Sequence, residues 1–112
     1  MPNTILLKGR GIRKEAQAAA AITPGYLVER TTADKFQKHS SAGQTATPMF
    51  AVEDELSGKE ITVDYATNDQ VVAEVLPSGA EVYALVAAAA VAIVIGDPLE
   101  SAGDGTLRLH TP

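Results

Sequence analysis

Val94-Ile-Gly-Asp-Pro-Leu-Glu-Ser-Ala-Gly-Asp-Gly-Thr-Leu-Arg-Leu109 reads as a strand, a glycine-rich tight turn and a second strand. Gly103-Asp104-Gly105 tolerates positive φ, so the chain can reverse between Leu99 and Leu107. The stretch has an echo earlier in the chain. Ile22, Gly25, Glu29, Phe36 and His39 align with Ile93, Gly96, Glu100, Leu107 and His110 at a constant offset of 71 residues. Two copies of one β-unit, neither with a catalytic motif, point to a structural role.

The segments around these copies carry the same signature. Thr4–Leu7 is a short extended stretch interrupted by Gly9 and Gly11, suited to an arm or an edge strand. Arg13–Ala21 has helical composition but is too short to be stable without tertiary support, and Pro24-Gly25 ends it. Strands are expected over 26–30, 35–39, 48–53 and 61–65, the last alternating at period two. Residues 40–47 and the acidic Glu53-Asp54-Glu55 stretch read as exposed loops. Val71–Leu76 and Glu81–Val86 flank Pro77-Ser78-Gly79 as a further hairpin. Gly25, Gly79, Gly96, Gly103 and Gly105 are thus the turn-forming glycines. Short strands with glycine- and proline-bearing turns predict an all-β fold, a small β-barrel or β-sandwich with at most one short helix. The expected division is an extended N-terminal arm over 1–14 and one β-rich domain over 15–112.

Composition narrows the function. The chain has 112 residues, nineteen of them alanine, with no tryptophan and five aromatic rings in all. Large aromatic side chains dominate most cores and interfaces, so a thin core that gains stability from an oligomer is expected. The alanine-rich run suggests a subunit interface over Val82, Ala84, Val86, Ala88 and Ala90. The chain has no cysteine, which excludes disulfide staples and thiolate metal sites. No signal peptide is recognisable, and the apolar run Val82–Ile95 is short of the ~20 residues a membrane helix needs. A soluble protein made in a cytoplasm is expected, with no membrane partner.

The net charge of −5 argues against nucleic acid as the partner. The charge is unevenly spread: residues 1–49 hold seven basic and three acidic side chains, residues 50–112 two basic and eleven acidic. Lys8, Arg10, Arg13 and Lys14 form a basic stretch that could steer the protein to an acidic surface.

Signals for chemistry are weak. His39 and His110 stand without further ligands at metal-site spacing, and no metal site or other cofactor is expected. Asp97 and Asp104 fit turn chemistry and lack the spacing of a calcium loop. No nucleophile elbow, phosphate loop or dinucleotide fingerprint occurs, so no catalytic residue is assigned.

Gly-Tyr-Leu-Val-Glu at 25–29, Val-Tyr-Ala-Leu-Val-Ala at 82–87 and above all Gly-Asp-Pro-Leu-Glu-Ser-Ala-Gly-Asp-Gly-Thr-Leu at 96–107 resemble the capsid cement, or head decoration, proteins of tailed bacteriophages. The resemblance implies a small β-clip- or β-tulip-like domain on the outside of the phage head, made in the host cytoplasm. It would bind and stabilise the lattice of the major capsid protein. It implies self-association, a trimer before a dimer, since lambda-type decoration proteins bind as trimers. Related sequences commonly continue past the Gly-Asp-Gly hairpin with a further strand pair, so the expectation is that either the last strands are missing here or a neighbouring subunit supplies the pairing. The expected capsid-binding segment is Thr4, Ile5, Leu6, Leu7, Lys8, Arg10, Ile12, Arg13 and Lys14, adding a strand to a capsid edge.

Three other readings compete. A biotinyl- or lipoyl-type carrier would share the Val94-Ile-Gly-Asp-Pro-Leu-Glu turn, but its hairpin needs a lysine where Ala102–Thr106 has none. A β-clip nucleotide hydrolase wants clustered arginines, and Arg108 is the only one after Arg30. A generic β-rich scaffold or adhesion module has no feature that separates it from a cement protein.

Overall fold

The computed structural model describes residues 4–54, 57–87 and 93–110. Among these residues nine strands follow in order: β1 Leu6–Lys8, β2 Ile12–Gln17, β3 Val28–Arg30, β4 Phe36–Lys38, β5 Met49–Ala51, β6 Gln70–Val75, β7 Glu81–Val82, β8 Leu99–Ser101 and β9 Leu107–Leu109. The protein is all-β, as the turn chemistry predicts, and the described residues contain no α-helix. Among the described residues the strands form small antiparallel sheets, β1-β7, β2-β6-β5, β3-β4 and β8-β9, and do not close into a barrel.

β6 organises the molecule. Val71 and Ala73 face one core cluster with Ile22, Val28, Phe36 and Tyr65, while Val72 faces a second with Ile5, Val52 and Ile61. A strand apolar on both faces belongs in the middle of a sheet. β2 and β5 take its two edges, with Ala16 opposite Val71 and Ala51 opposite Ala73. The expected hairpin of β6 with the segment after Gly79 therefore does not form. The Pro77–Ala80 turn is present, with Gly79 at φ +92°, but it swings the chain away so that β7 pairs with β1.

Two further expectations are corrected. Residues 12–17 are a strand instead of part of a helix, because pairing along β6 and burial of Ala16 and Ala18 override a weak helical propensity. Residues 61–65 form no strand: a turn at Ile61–Thr62 leads into irregular chain, with only Tyr65 bridging Ile22. Ile61 and Tyr65 are buried while Val63 between them is exposed, which breaks the period-two pattern.

The segment 4–14 is not a free arm. Ile5 is 1% exposed, and its N–H donates to the buried Glu53 carboxylate at 3.0 Å. Tyr83 N–H then donates to Ile5 C=O at 2.7 Å. Burying a side chain the size of Ile5 contributes about 2 kcal/mol, enough to hold a short segment down. Glu53 therefore belongs to the core and not to a solvated acidic loop; Glu55 lies outside the described residues.

The repeat survives in detail. Hairpin β3–β4 pairs Val28 with Lys38, Glu29 with Gln37 and Arg30 with Phe36. Hairpin β8–β9 pairs Leu99 with Leu109, Glu100 with Arg108 and Ser101 with Leu107, which is the same register shifted by the sequence offset. The entry turns match: Tyr26 N–H donates to Thr23 C=O with Gly25 at φ +100°, and Asp97 N–H to Val94 C=O with Gly96 at φ +96°. So do the loops, closed by Thr31 N–H to Lys35 C=O and by Ala102 N–H to Thr106 C=O. Each has a positive φ at the equivalent position, Asp34 in the first copy and Gly105 in the second.

Candidate functional site

The second hairpin docks end-on against the first. Leu27 N–H donates to Gly105 C=O at 2.8 Å, and Gly105 N–H to His39 C=O at 3.2 Å. A Cβ at Gly105 would lie 2.8 Å from Tyr26 Cγ and 2.9 Å from Lys38 Cβ, so only glycine fits. At Gly103 the neighbour is Ala42, because the 40–47 loop lies over this turn, with Gly43 N–H donating to Ser101 C=O at 2.9 Å.

A buried polar cluster sits in this seam. His39 Nδ1 lies 2.6 Å from Ser101 Oγ, and both residues are buried. Ser101 Oγ also accepts from Gly103 N–H at 3.1 Å. His39 Nε2 lies 3.6 Å from Glu29 Oε1. One tautomer satisfies all of this: the Ser101 hydroxyl donates to Nδ1, and the Nε2 proton faces the Glu29 carboxylate. Gln37 and Ser40 donate to Glu29 Oε2. Burial pushes the Glu29 carboxyl upward, but these two side-chain hydrogen bonds outweigh it and hold the group below the usual carboxylate range.

Serine, histidine and glutamate in line is the order of an activated nucleophile. Here Ser101 is 4% exposed and its oxygen is already engaged by Gly103 N–H, so the array ties two hairpins together. In its counterpart in the second copy the histidine is open to solvent: His110 is 47% exposed against 4% for His39. Glu100 accepts from Arg108 Nε at 2.7 Å and meets His110 Nδ1 at 2.7 Å. The hydrogen bonds from His110 and then Arg108 keep the Glu100 carboxyl below its ordinary value.

Sequence reasoning noted Glu29, His39, Glu100 and His110 as repeat positions but did not join each glutamate to its histidine. The ten-residue spacing in both copies was the available signal. Ser101 carried none, since its partner is 62 residues away.

The residues expected to bind capsid divide. Thr4, Leu7, Lys8, Arg10, Ile12, Arg13 and Lys14 are exposed, Leu6 is half-buried, and Ile5 is core and unavailable for contact. Lys8 pairs with Glu81 across β1–β7 at 3.7 Å. Of the expected subunit interface, Val86 is exposed beside Leu107, while Val82 and Ala84 are half-buried. Ala88 and Ala90 lie outside the described residues. Gly25, Gly79, Gly96, Gly103 and Gly105 all have positive φ, as turn formation requires. Among the described residues no group of three or more acidic or imidazole side chains could hold a metal ion, and no helix is long and apolar enough to cross a membrane.

No family model matches this chain, and no curated protein sequence is significantly similar to it.

Proposed function

We propose that this protein is a structural component of a tailed-phage virion, decorating the outer capsid surface and stabilising the lattice of the major capsid protein. One observation carries the reading. The stretch 96–107, which bears the resemblance to cement proteins, contributes its glycine turn to packing one hairpin on the other. The best-patterned residues of the chain thus build a rigid body and leave recognition to its exposed strands. A decoration protein works in this way, through modest contacts multiplied by the symmetry of a shell.

The capsid-facing surface in this reading is the basic stretch. Lys8, Arg10, Arg13 and Lys14 are all exposed. Because Ile5 and β1 are held in the body, the contact is made by these side chains on acidic capsid groups and not by a free arm. Such a contact weakens as salt rises.

Co-sedimentation with undecorated phage heads tests the proposal. Wild-type protein should pellet with the heads, and a double Arg13→Glu, Lys14→Glu variant should bind at least tenfold more weakly while remaining folded. Failure of the wild-type protein to bind heads sinks the reading. Equal binding by the charge-reversed variant removes the basic surface from it.

A further inference from the structure

The two hairpin copies match in register and turns but differ in what covers them. In the first copy the Pro24-Gly25 turn is sealed. Pro24 is fully buried, Gly25 N–H donates to Ala51 C=O at 2.8 Å, and Ala51 N–H donates to Tyr26 C=O at 3.0 Å. A Cβ at Gly25 would meet Tyr83 C=O and Leu85. In the second copy the equivalent Ile95-Gly96 turn is bare. Ile95 is 105% exposed and Val94 66%, and a Cβ at Gly96 would meet nothing within 4 Å. Among the described residues, nothing pairs with Gly96 N–H or Asp97 C=O. A fully exposed isoleucine at the tip of a hydrogen-bonded turn is an anchor without a socket.

A socket of suitable character lies elsewhere on the same chain. β2 pairs with β6 on one side only, and its first residue, Ile12, is 65% exposed. Beside it is an apolar groove of about 220 Å³ lined by Arg10, Ile12, Val75, Leu76 and Pro77. The charges around knob and groove are opposite. Glu100 is already held by Arg108 and His110, which leaves Asp97 and Asp104 as the acids around the knob, and Lys8 pairs with Glu81, which leaves Arg10, Arg13 and Lys14 as the bases around the groove.

We infer that the protein self-associates head to tail, the Ile95 turn of one copy seating in the Ile12 groove of a second copy, with Asp97 facing Arg10. Knob and groove are different surfaces, so the contact is heterologous: each copy that donates a knob still offers a groove, and the assembly closes into a ring or grows into a chain. The opposite charges set the orientation and speed the encounter more than they add affinity. The open edge of β2 lies beside the groove, where an incoming strand can extend the β2-β6-β5 sheet.

Two exposed-site variants decide the matter without capsid present, so the result stands apart from shell binding. Ile95→Asp destroys the knob and Ile12→Asp the groove, and neither residue belongs to the core. Circular dichroism confirms that both fold. In sedimentation velocity the average mass of the wild type should rise with protein concentration. Each variant alone should remain monomeric. An equimolar mixture should form a dimer and nothing larger, because one intact knob then meets one intact groove. The inference is overturned by a wild type that stays monomeric throughout, by either variant associating as the wild type does, or by a mixture that does not dimerise.

Discussion

Glu29 and Glu100 occupy the same place in two hairpins of identical register, each opposite a polar cross-strand partner and each beside a histidine ten residues on. One copy is turned inward, where its histidine reaches Ser101 of the other hairpin. In the other the histidine is exposed, and an exposed arginine replaces glutamine as the cross-strand partner. The same local geometry serves as a buried clasp and as a surface ion pair, and the difference lies in what packs against it.

The clasp should be costly to break from one side. Ser101→Ala leaves the buried His39 Nδ1 and the half-buried Gly103 N–H without their partner. A loss of about 1–3 kcal/mol is expected, read as a lower midpoint in urea with an unchanged slope. Ser101→Thr should recover part of it by restoring the hydroxyl.

Two glycines separate backbone strain from steric exclusion. Gly79 at φ +92° has no neighbour within 4 Å, so Gly79→Ala costs only the left-handed conformation, about 1 kcal/mol. Gly105→Ala adds contacts of 2.8 and 2.9 Å with Tyr26 and Lys38, and should cost about 3 kcal/mol or more. Equal losses for the two variants would show that the hairpin seam yields freely.

Glu100 supplies a pH signature. Its carboxyl is depressed by His110 and Arg108, so the folded state gives up its charge at lower pH than the unfolded chain does. That contribution is present above the ordinary value of 4.5 and is lost as pH falls through the folded value. Melting temperature measured from pH 7 downward should fall less steeply below pH 4.5 in Glu100→Gln than in wild type.

Tyr65 marks the alkaline side. Its hydroxyl donates to Val52 C=O at 2.6 Å between the two core clusters, and burial pushes its pKa up to about 12. The unfolded chain ionises near 10 while the fold holds the proton, so stability is full below pH 10 and is lost as pH rises through about 12. Tyr65→Phe should flatten that loss and cost about 1 kcal/mol at neutral pH through the missing hydrogen bond.

Much of the fold was legible because it is local. The Gly96 and Gly103–Gly105 turns, the β8–β9 hairpin and its echo at β3–β4 all follow from residues a few positions apart, where φ preference and alternation act directly. The hairpin expected across Pro77–Gly79 was a sound local reading, and its turn exists. It failed as a strand pair because Val71, Val72 and Ala73 make β6 a central strand whose edges go to β2 and β5. The helical composition of 13–21 gives way over 13–17 for the same reason, since β6 needs a partner and alanine accepts either conformation. Of the functional surface, the basic residues were legible by type. The burial of Ile5, the clasp at His39 and Ser101, and the bareness of Ile95 were not, because each depends on segments distant in the chain.

By itself the sequence determined where the chain turns and which stretches repeat, because glycine at positive φ and alternating side chains are properties of neighbouring residues. Only the tertiary structure decided which strands meet, which of two equivalent hairpins is sealed and which stays open. Strand pairing is chosen by competition among distant apolar faces for one central strand, and no single segment carries the outcome of that competition.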